Sequence, residues 1–164
     1  KHLNDLKLKV KTSLHDHAMN NRGYQELARS ISDISVADYK QALRIARTEG
    51  GRLASLARED SYQEAAEMGI NMKKKWLATL DDRTRDLHQA LDGEIVEIDE
   101  DFEISGYSAP QPRLFGAPEM DINCRCDTIT IIEGISPDLR RDQMTGDVID
   151  YATYEEWAEA RGGI

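Results

Sequence analysis

The sequence predicts an α+β fold: N-terminal helices including one long helix, then a small mixed β-sheet domain, then a short C-terminal helix. Apolar residues recur at helical spacing as far as Gly69. Beyond Gly69 they fall into short β-branched and aromatic runs separated by Gly, Pro and Asp. Helices and strands come in blocks rather than in alternation, which favours α+β over a doubly wound sheet.

Residues 1–22 read as a helical arm, with Leu3, Leu6, Val10 and Leu14 on one stripe and "NNRG" at 20–23 as the turn that ends it. A second unit, 23–164, follows: helical over 23–69, β-rich over 70–152, and a terminal helix over 153–162. In "YQELARSIS" (24–32), Tyr24, Leu27, Ala28 and Ile31 share a helix face. A long helix is expected from Val36 to Met68, with Ser35 as N-cap and Asp38 in its first turn. Its apolar stripe is Tyr39, Leu43, Ala46, Leu53, Leu56 and Ala57. "EGG" at 49–51 sets two glycines in its interior, either as a kink or as a place of close packing, and Gly69 is a natural stop.

In the second half, "KKWLATL" (74–80), "EIVEI" (94–98), "TITII" (128–132) and the short "TGDVIDY" (145–151) read as extended. "DDRTRDLHQALDG" (81–93) reads as a cap, a short helix and a glycine stop. "GYSAPQPRLFGAPEM" (106–120) holds three of the four prolines and reads as a loop. In "TYEEWAEARGG" (153–163), Thr153 and Glu156 have the spacing of a capping box.

The 164 residues are 40% hydrophobic and 32% charged, a globular composition able to bury a core. No apolar run approaches the ~18 residues of a membrane span, and no secretory leader is visible near Lys1. The first residue is not Met, so a trimmed or processed start is expected. The net charge of −10 argues against broad wrapping of nucleic acid, which needs a cationic surface. Two local basic runs, Lys7, Lys9 and Lys11 and then Lys73, Lys74 and Lys75, read as solvated faces.

Chemistry concentrates in "MDINCRCDTITI" (120–131), which holds both cysteines, Cys124 and Cys126. A bond between them would close a strained ring, so they read as reduced thiols in a cytosolic setting. Residues i and i+2 of an extended segment share a face. Two thiolates there are half a metal site, and His88 is the histidine in the same half of the chain. Zinc wants four donors; the fourth would be Asp121, Asp86 or water. Two other readings stand beside this one: small buried core cysteines, or a thiol nucleophile with His88 as base, for which no oxyanion hole is marked. Asp81 and Asp82 are neighbours and do not face each other, so they suit a helix start better than an acid/base pair. The acidic series Glu97, Asp99, Asp101 and Glu103 lacks the spacing of a calcium loop. No P-loop, GxGxxG or HExxH occurs.

Several motifs fall in a specific order: "IARTE" (45–49), "WLATLDDRTRDLHQALDG" (76–93), Phe102, a proline-rich loop, "NCRC" (123–126), and "TGDVIDYATYEEW" (145–157). This series resembles the phage Mu F-like minor head morphogenesis family of tailed bacteriophages, over roughly residues 24–157. The resemblance implies a virion protein that acts with the portal protein and other capsid or scaffold proteins in head assembly, with a role in genome packaging or delivery. Its location would be the capsid interior or portal vertex, and the host cytoplasm during assembly. It implies no enzymatic activity. Related domains also occur joined to toxin domains, so a toxin-like enzyme (ADP-ribosyltransferase, nuclease or Cys-His hydrolase) is the competing reading. The Arg, Ser-strand and Glu-x-Glu set of an ADP-ribosyltransferase is not found in this chain.

The resemblance also implies a zinc knot: relatives carry Cys-x-x-Cys where this chain has "RDLH", paired with the later Cys-Arg-Cys. Arg85 and His88 stand at those two positions, and Asp121 and Ile122 stand where relatives have His-Pro. His88, Cys124 and Cys126 are therefore the expected metal ligands, with Asp121 as a fourth; the alternative is a site degenerated into a hydrogen-bonded core cluster of Asp81 or Asp82 with Arg83, Arg85 or Arg125. The remaining motif residues, Arg47, Glu49, Trp76, Asp82, Arg83, Asp92, Gly93, Asn123 and Arg125, are expected to be structural. Among them, Arg47, Glu49, Asp82, Arg83 and Arg125 are expected to form an ion-pair network locking the long helix to the sheet. DNA contact, if any, would come through the lysine-rich arm.

Overall fold

The computed structural model describes residues 2–35, 39–132, 135 and 137–163. Three helices come first: α1 (His2–Met19), α2 (Tyr24–Ser35) and α3 (Tyr39–Glu67). Ser35, expected to cap the long helix, is the last residue of α2. Val36 and Asp38 lie outside the described residues, as do the side chains of Leu3 and Leu6. Leu27, Ala28 and Ile31 of α2 bury themselves against Ala42 and Ala46 of α3, with Leu14 of α1 packed on the edge.

The stripe expected on α3 needs correction. Tyr39, Leu53 and Leu56 are 43%, 36% and 45% exposed, while the buried face is made of small residues: Ala42, Ala46, Thr48, Gly50, Gly51 and Ser55. Small side chains let neighbouring elements approach the helix axis closely, and of the larger stripe residues only Leu43 packs half-buried on the core. α3 runs unbroken through its two glycines for this reason. A Cβ on Gly50 would sit 2.8 Å from Tyr24 Cε1, and one on Gly51 would sit 2.7 Å from both Cδ and Nε of Arg113. The helix ends in a Schellman motif: Gly69 is left-handed (φ +82°), its N–H reaches Ala66 O at 2.9 Å, and Ile70 N–H reaches Ala65 O at 3.1 Å.

The β-rich half holds β1 (Met72–Leu77), α4 (Asp86–Ala90), β2 (Ile95–Glu97), β3 (Phe102–Ile104), β4 (Tyr107–Ala109), α5 (Pro118–Asp121), β5 (Asp127–Ile132), β6 (Leu139–Arg141), β7 (Val148–Asp150) and α6 (Tyr154–Ala160). The expected mixed sheet is instead three antiparallel sheets: β2-β1-β5, the hairpin β3-β4 and the pair β6-β7. A parallel crossover needs a helix long enough to carry the chain back along the sheet. The helices between these strands have five and four residues. The proline-rich loop contributes β4 and α5, so it is partly regular.

The lysine run in β1 is the second correction. Lys73 is exposed beside Glu97, but Lys74 is fully buried, 3.4 Å from Glu59 of α3, and Lys75 lies 3.8 Å over the Tyr151 ring. β1 is the central strand and both its faces are covered, so Lys74 is buried towards Glu59 of α3 and Lys75, on the opposite face, is buried against Tyr151. Trp76, completely buried, anchors the main core with Leu80, Leu91, Phe102, Cys124, Cys126, Tyr154 and Trp157. The terminal helix has its capping box: Thr153 Oγ1 accepts from Glu156 N, and the Glu156 carboxylate accepts from Thr153 N at 2.7 Å.

Candidate metal centre

The "NCRC" segment gets its shape from the turn before it. α5 ends at Asp121, whose carbonyl accepts from Cys124 N at 3.2 Å. Asn123 takes the left-handed conformation (φ 58°), which Asn tolerates better than most residues. Its N–H is held by Thr48 Oγ1 on α3, at 3.1 Å. The chain then runs extended through Cys124, Arg125 and Cys126 into β5. Alternation sends both cysteines inward and Arg125 outward.

Arg113 fixes this segment from the other side. It is buried and left-handed (φ 70°), and its Nη1 donates to the carbonyls of Cys124 and Cys126 at 3.1 and 3.0 Å. Its Nη2 donates to Ser55 Oγ at 3.2 Å. No local pattern in the sequence singles out Arg113. The signals in hindsight are Gly51 and Ser55, which make room for it on α3.

His88 enters from α4. Its Nδ1 lies 3.2 Å from Cys126 Sγ and 3.6 Å from Cys124 Sγ. All three residues are buried, with ligand atoms within 4.8 Å of one another, an arrangement that could hold a metal ion. Their charge state suits that role. The Cys124 thiol falls to about 4, chiefly through a hydrogen bond from Cys126, with His88 and Arg113 adding to it against the opposing effect of burial. Cys126 is pushed up by that same hydrogen bond and by burial.

The donor set is three. Asp121, expected as a fourth ligand, is engaged elsewhere: its carboxylate oxygens accept from the backbone N–H groups of Phe115 (3.1 Å) and Gly116 (2.8 Å). Asp86 is exposed. Arg85 turns away and donates to the carbonyls of Met120 and Ile122. His88 Nε2 is buried with no hydrogen-bond partner, so it lacks the outer acceptor that commonly orients a ligating imidazole. The residues fit a soft divalent ion through two sulfurs and one nitrogen, with a fourth position open.

The expected ion-pair network forms around other carboxylates. Both Arg125 nitrogens meet the buried Asp81 rather than Asp82, which is exposed, and Arg83 reaches the same carboxylate at 3.4 Å. Burial alone would raise the Asp81 pKa, but Arg125, the Arg83 backbone N–H and Thr84 bring it below its ordinary value. Among the described residues Glu49 pairs with Arg52 on the surface, and Arg47 is exposed. Asp92 and Gly93 tie the end of β1 to α6: Asp92 accepts from Ala78 N and Tyr154 N, and Gly93 N (φ +86°) donates to Trp76 O at 2.9 Å. Arg140, the partner of Asp92, has no counterpart in the sequence reading.

The fold and this centre together define a small α+β module that threads a cysteine–arginine–cysteine segment between a long helix and a short one. The chain belongs to the Phage Mu protein F like family, whose model matches residues 8–129. It is 52% identical over 136 residues to the NAD(+)--arginine ADP-ribosyltransferase EFV of Enterococcus faecalis, covering 83% of this chain and 28% of that protein. It is 36% identical over 147 residues to the minor head protein GP7 of Bacillus phage SPP1, covering 87% of this chain and 47% of that protein. The chain therefore spans less than half the length of these relatives. No solved structure matches it.

Proposed function

We propose that this chain is the head-assembly module of a tailed-phage minor head protein, acting with the portal protein and other capsid proteins and residing in the virion. The observation that carries the reading is the 36% identity to a minor head protein across 87% of the chain. The architecture suits docking rather than turnover: its buried polar side chains are spent on fixing backbone, as Arg113, Asp121 and Asp92 are. The metal, taken as zinc, would be structural, joining α4 to the segment ahead of β5 through His88, Cys124 and Cys126. The exposed lysines of α1 are the place where weak DNA contact would arise. Among the described residues, no helix is long and apolar enough to cross a membrane.

Co-sedimentation with the portal ring of the same phage, at two salt concentrations, tests the proposal. Association that survives moderate salt supports it, and no association at either salt removes the portal as partner.

A second reading is favoured by the 52% identity to a protein named as an ADP-ribosyltransferase. Because the chain covers only 28% of that protein, the shared part reads as a common assembly module. Transfer of ADP-ribose from NAD to arginine by this chain alone would overturn that view.

A further inference from the structure

Above the cysteine segment lies an open cleft of about 600 Å³. Six arginines line it, Arg47, Arg58, Arg83, Arg85, Arg113 and Arg125, with Asp127 as the one carboxylate among the lining residues. This concentration is out of keeping with a chain of net charge −10. Two of the six are neutralised: Arg58 by Asp127 with both nitrogens, and Arg125 by Asp81. Arg83 shares Asp81 at 3.4 Å while its side chain stays 75% exposed. Among the described residues, Arg47, Arg85 and Arg113 form no ion pair. Arg85 and Arg113 spend their donors on backbone carbonyls and Ser55, which fixes their position without a carboxylate partner, although Arg113 also acts on the Cys124 sulfur.

The arginines arrive from four separate parts of the chain: α3, the turn before α4, the loop before α5 and the "NCRC" segment. Arg85 and Arg113 are pre-positioned by contacts to neutral groups, which is how a fixed anion site differs from a solvated face. A single carboxylate offers two oxygens in one plane and is satisfied by one guanidinium fork. Forks converging from several directions match a tetrahedral group with oxygens on every side and up to two negative charges.

We propose that this cleft binds a phosphate-bearing ligand, with Arg47 and Arg83 making direct contacts and Arg85 and Arg113 supplying fixed positive charge behind them. The lysines of α1 are not among the residues that line it.

The test titrates the full chain with pyrophosphate, inorganic phosphate, acetate and a short single-stranded oligonucleotide at one low ionic strength. Arg47→Gln with Arg83→Gln is the test variant; both side chains are exposed, so its melting temperature should match the parent. Lys7, Lys9 and Lys11 changed together to Gln form the control. Pyrophosphate should bind the parent and the control alike, and the arginine variant at least about tenfold more weakly. If the oligonucleotide competes with pyrophosphate and weakens in the same variant, the phosphates are those of a nucleic-acid backbone. If pyrophosphate binds and the oligonucleotide does not, they belong to a free phosphate compound. The proposal is overturned if no phosphate ligand binds the parent, if the arginine variant keeps full affinity, or if acetate competes as well as pyrophosphate.

Discussion

Arg140 grips Asp92 with both arms of its guanidinium, each nitrogen 2.7 Å from a carboxylate oxygen, with 7% and 1% of the two side chains exposed. The same carboxylate accepts from Ala78 N and Tyr154 N, and Arg140 also donates to the carbonyls of Ala78 and Ala152. One pair thereby holds the end of β1, strand β6 and the start of α6. Removing one partner leaves a buried charge without compensation, which costs about 3–5 kcal/mol. Asp92→Ala should lose that much in denaturant unfolding. A loss under about 1 kcal/mol would show that the pair contributes little beyond geometry.

Asp142 should give the fold an acid-sensitive step. Burial would raise its pKa, but Trp157 Nε1 (2.9 Å), Arg161 Nη2 (2.6 Å) and the N–H groups of Met144 (2.7 Å) and Thr145 (3.3 Å) together hold it well below the usual carboxylate range. A carboxylate depressed in the folded state stabilises above its unfolded pKa of about 3.9, and that contribution fades as pH falls toward the folded value. The stability difference between the parent and Asp142→Asn should be largest near neutrality and shrink below about pH 4. Parallel curves down to pH 2.5 would contradict this.

The two glycines of α3 should respond differently to alanine. Alanine gains roughly 1 kcal/mol of helix propensity at either site. At Gly51 the new methyl meets Cδ and Nε of buried Arg113, whose other nitrogens are fixed by three hydrogen bonds, so it cannot step aside. Overpacking of this kind costs about 1–3 kcal/mol, so Gly51→Ala should destabilise or at best break even. At Gly50 the obstacle is the Tyr24 ring, 39% exposed and able to swing outward, so Gly50→Ala should be near neutral. Thermal melts of both variants decide it; equal shifts would refute the assigned role of Arg113.

Periodicity made α1, α2, α3 and β5 legible, and turn chemistry marked the Gly69 and Thr153 boundaries, because those signals are local. His88, Cys124 and Cys126 were legible as soft donors because such residues are few here. Arg113 and Arg140 were not, since nothing local marks an arginine whose partners lie on distant elements: Ser55 for one and Asp92 for the other. Lys74 misled for the opposite reason. Three consecutive lysines look like a solvated run, and only the placement of β1 in the fold shows that Lys74 and Lys75 are buried. Which of Asp81 and Asp82 pairs with Arg125 was not legible, because adjacent residues face opposite ways and sequence does not say which turns inward.

The buried Lys74 makes a strong prediction. Its ammonium is fully enclosed, 3.4 Å from Glu59 Oε2 and 5.9 Å from the centre of the Phe102 ring. Glu59 in turn accepts from Gln111 Nε2 at 2.9 Å. Glu59→Ala strands the ammonium and should cost about 3–5 kcal/mol, whereas Lys74→Met with Glu59→Leu removes both charges and should recover most of that loss. Additive loss in the double variant would mean the two side chains act independently.

Metal removal tests the centre itself. A structural ion bound through Cys124, Cys126 and His88 stabilises only the folded chain, so chelation should lower the melting temperature by several degrees and restored zinc should raise it. Cys126→Ser should abolish that response while leaving the helical half intact, since Leu27, Ala28, Ile31, Ala42 and Ala46 form a separate core. Cys124 offers the second sulfur of the site, so Cys124→Ser should lose the response as well. Elemental analysis should find about one zinc per chain. A melting curve indifferent to chelator would leave the three residues as a hydrogen-bonded core cluster.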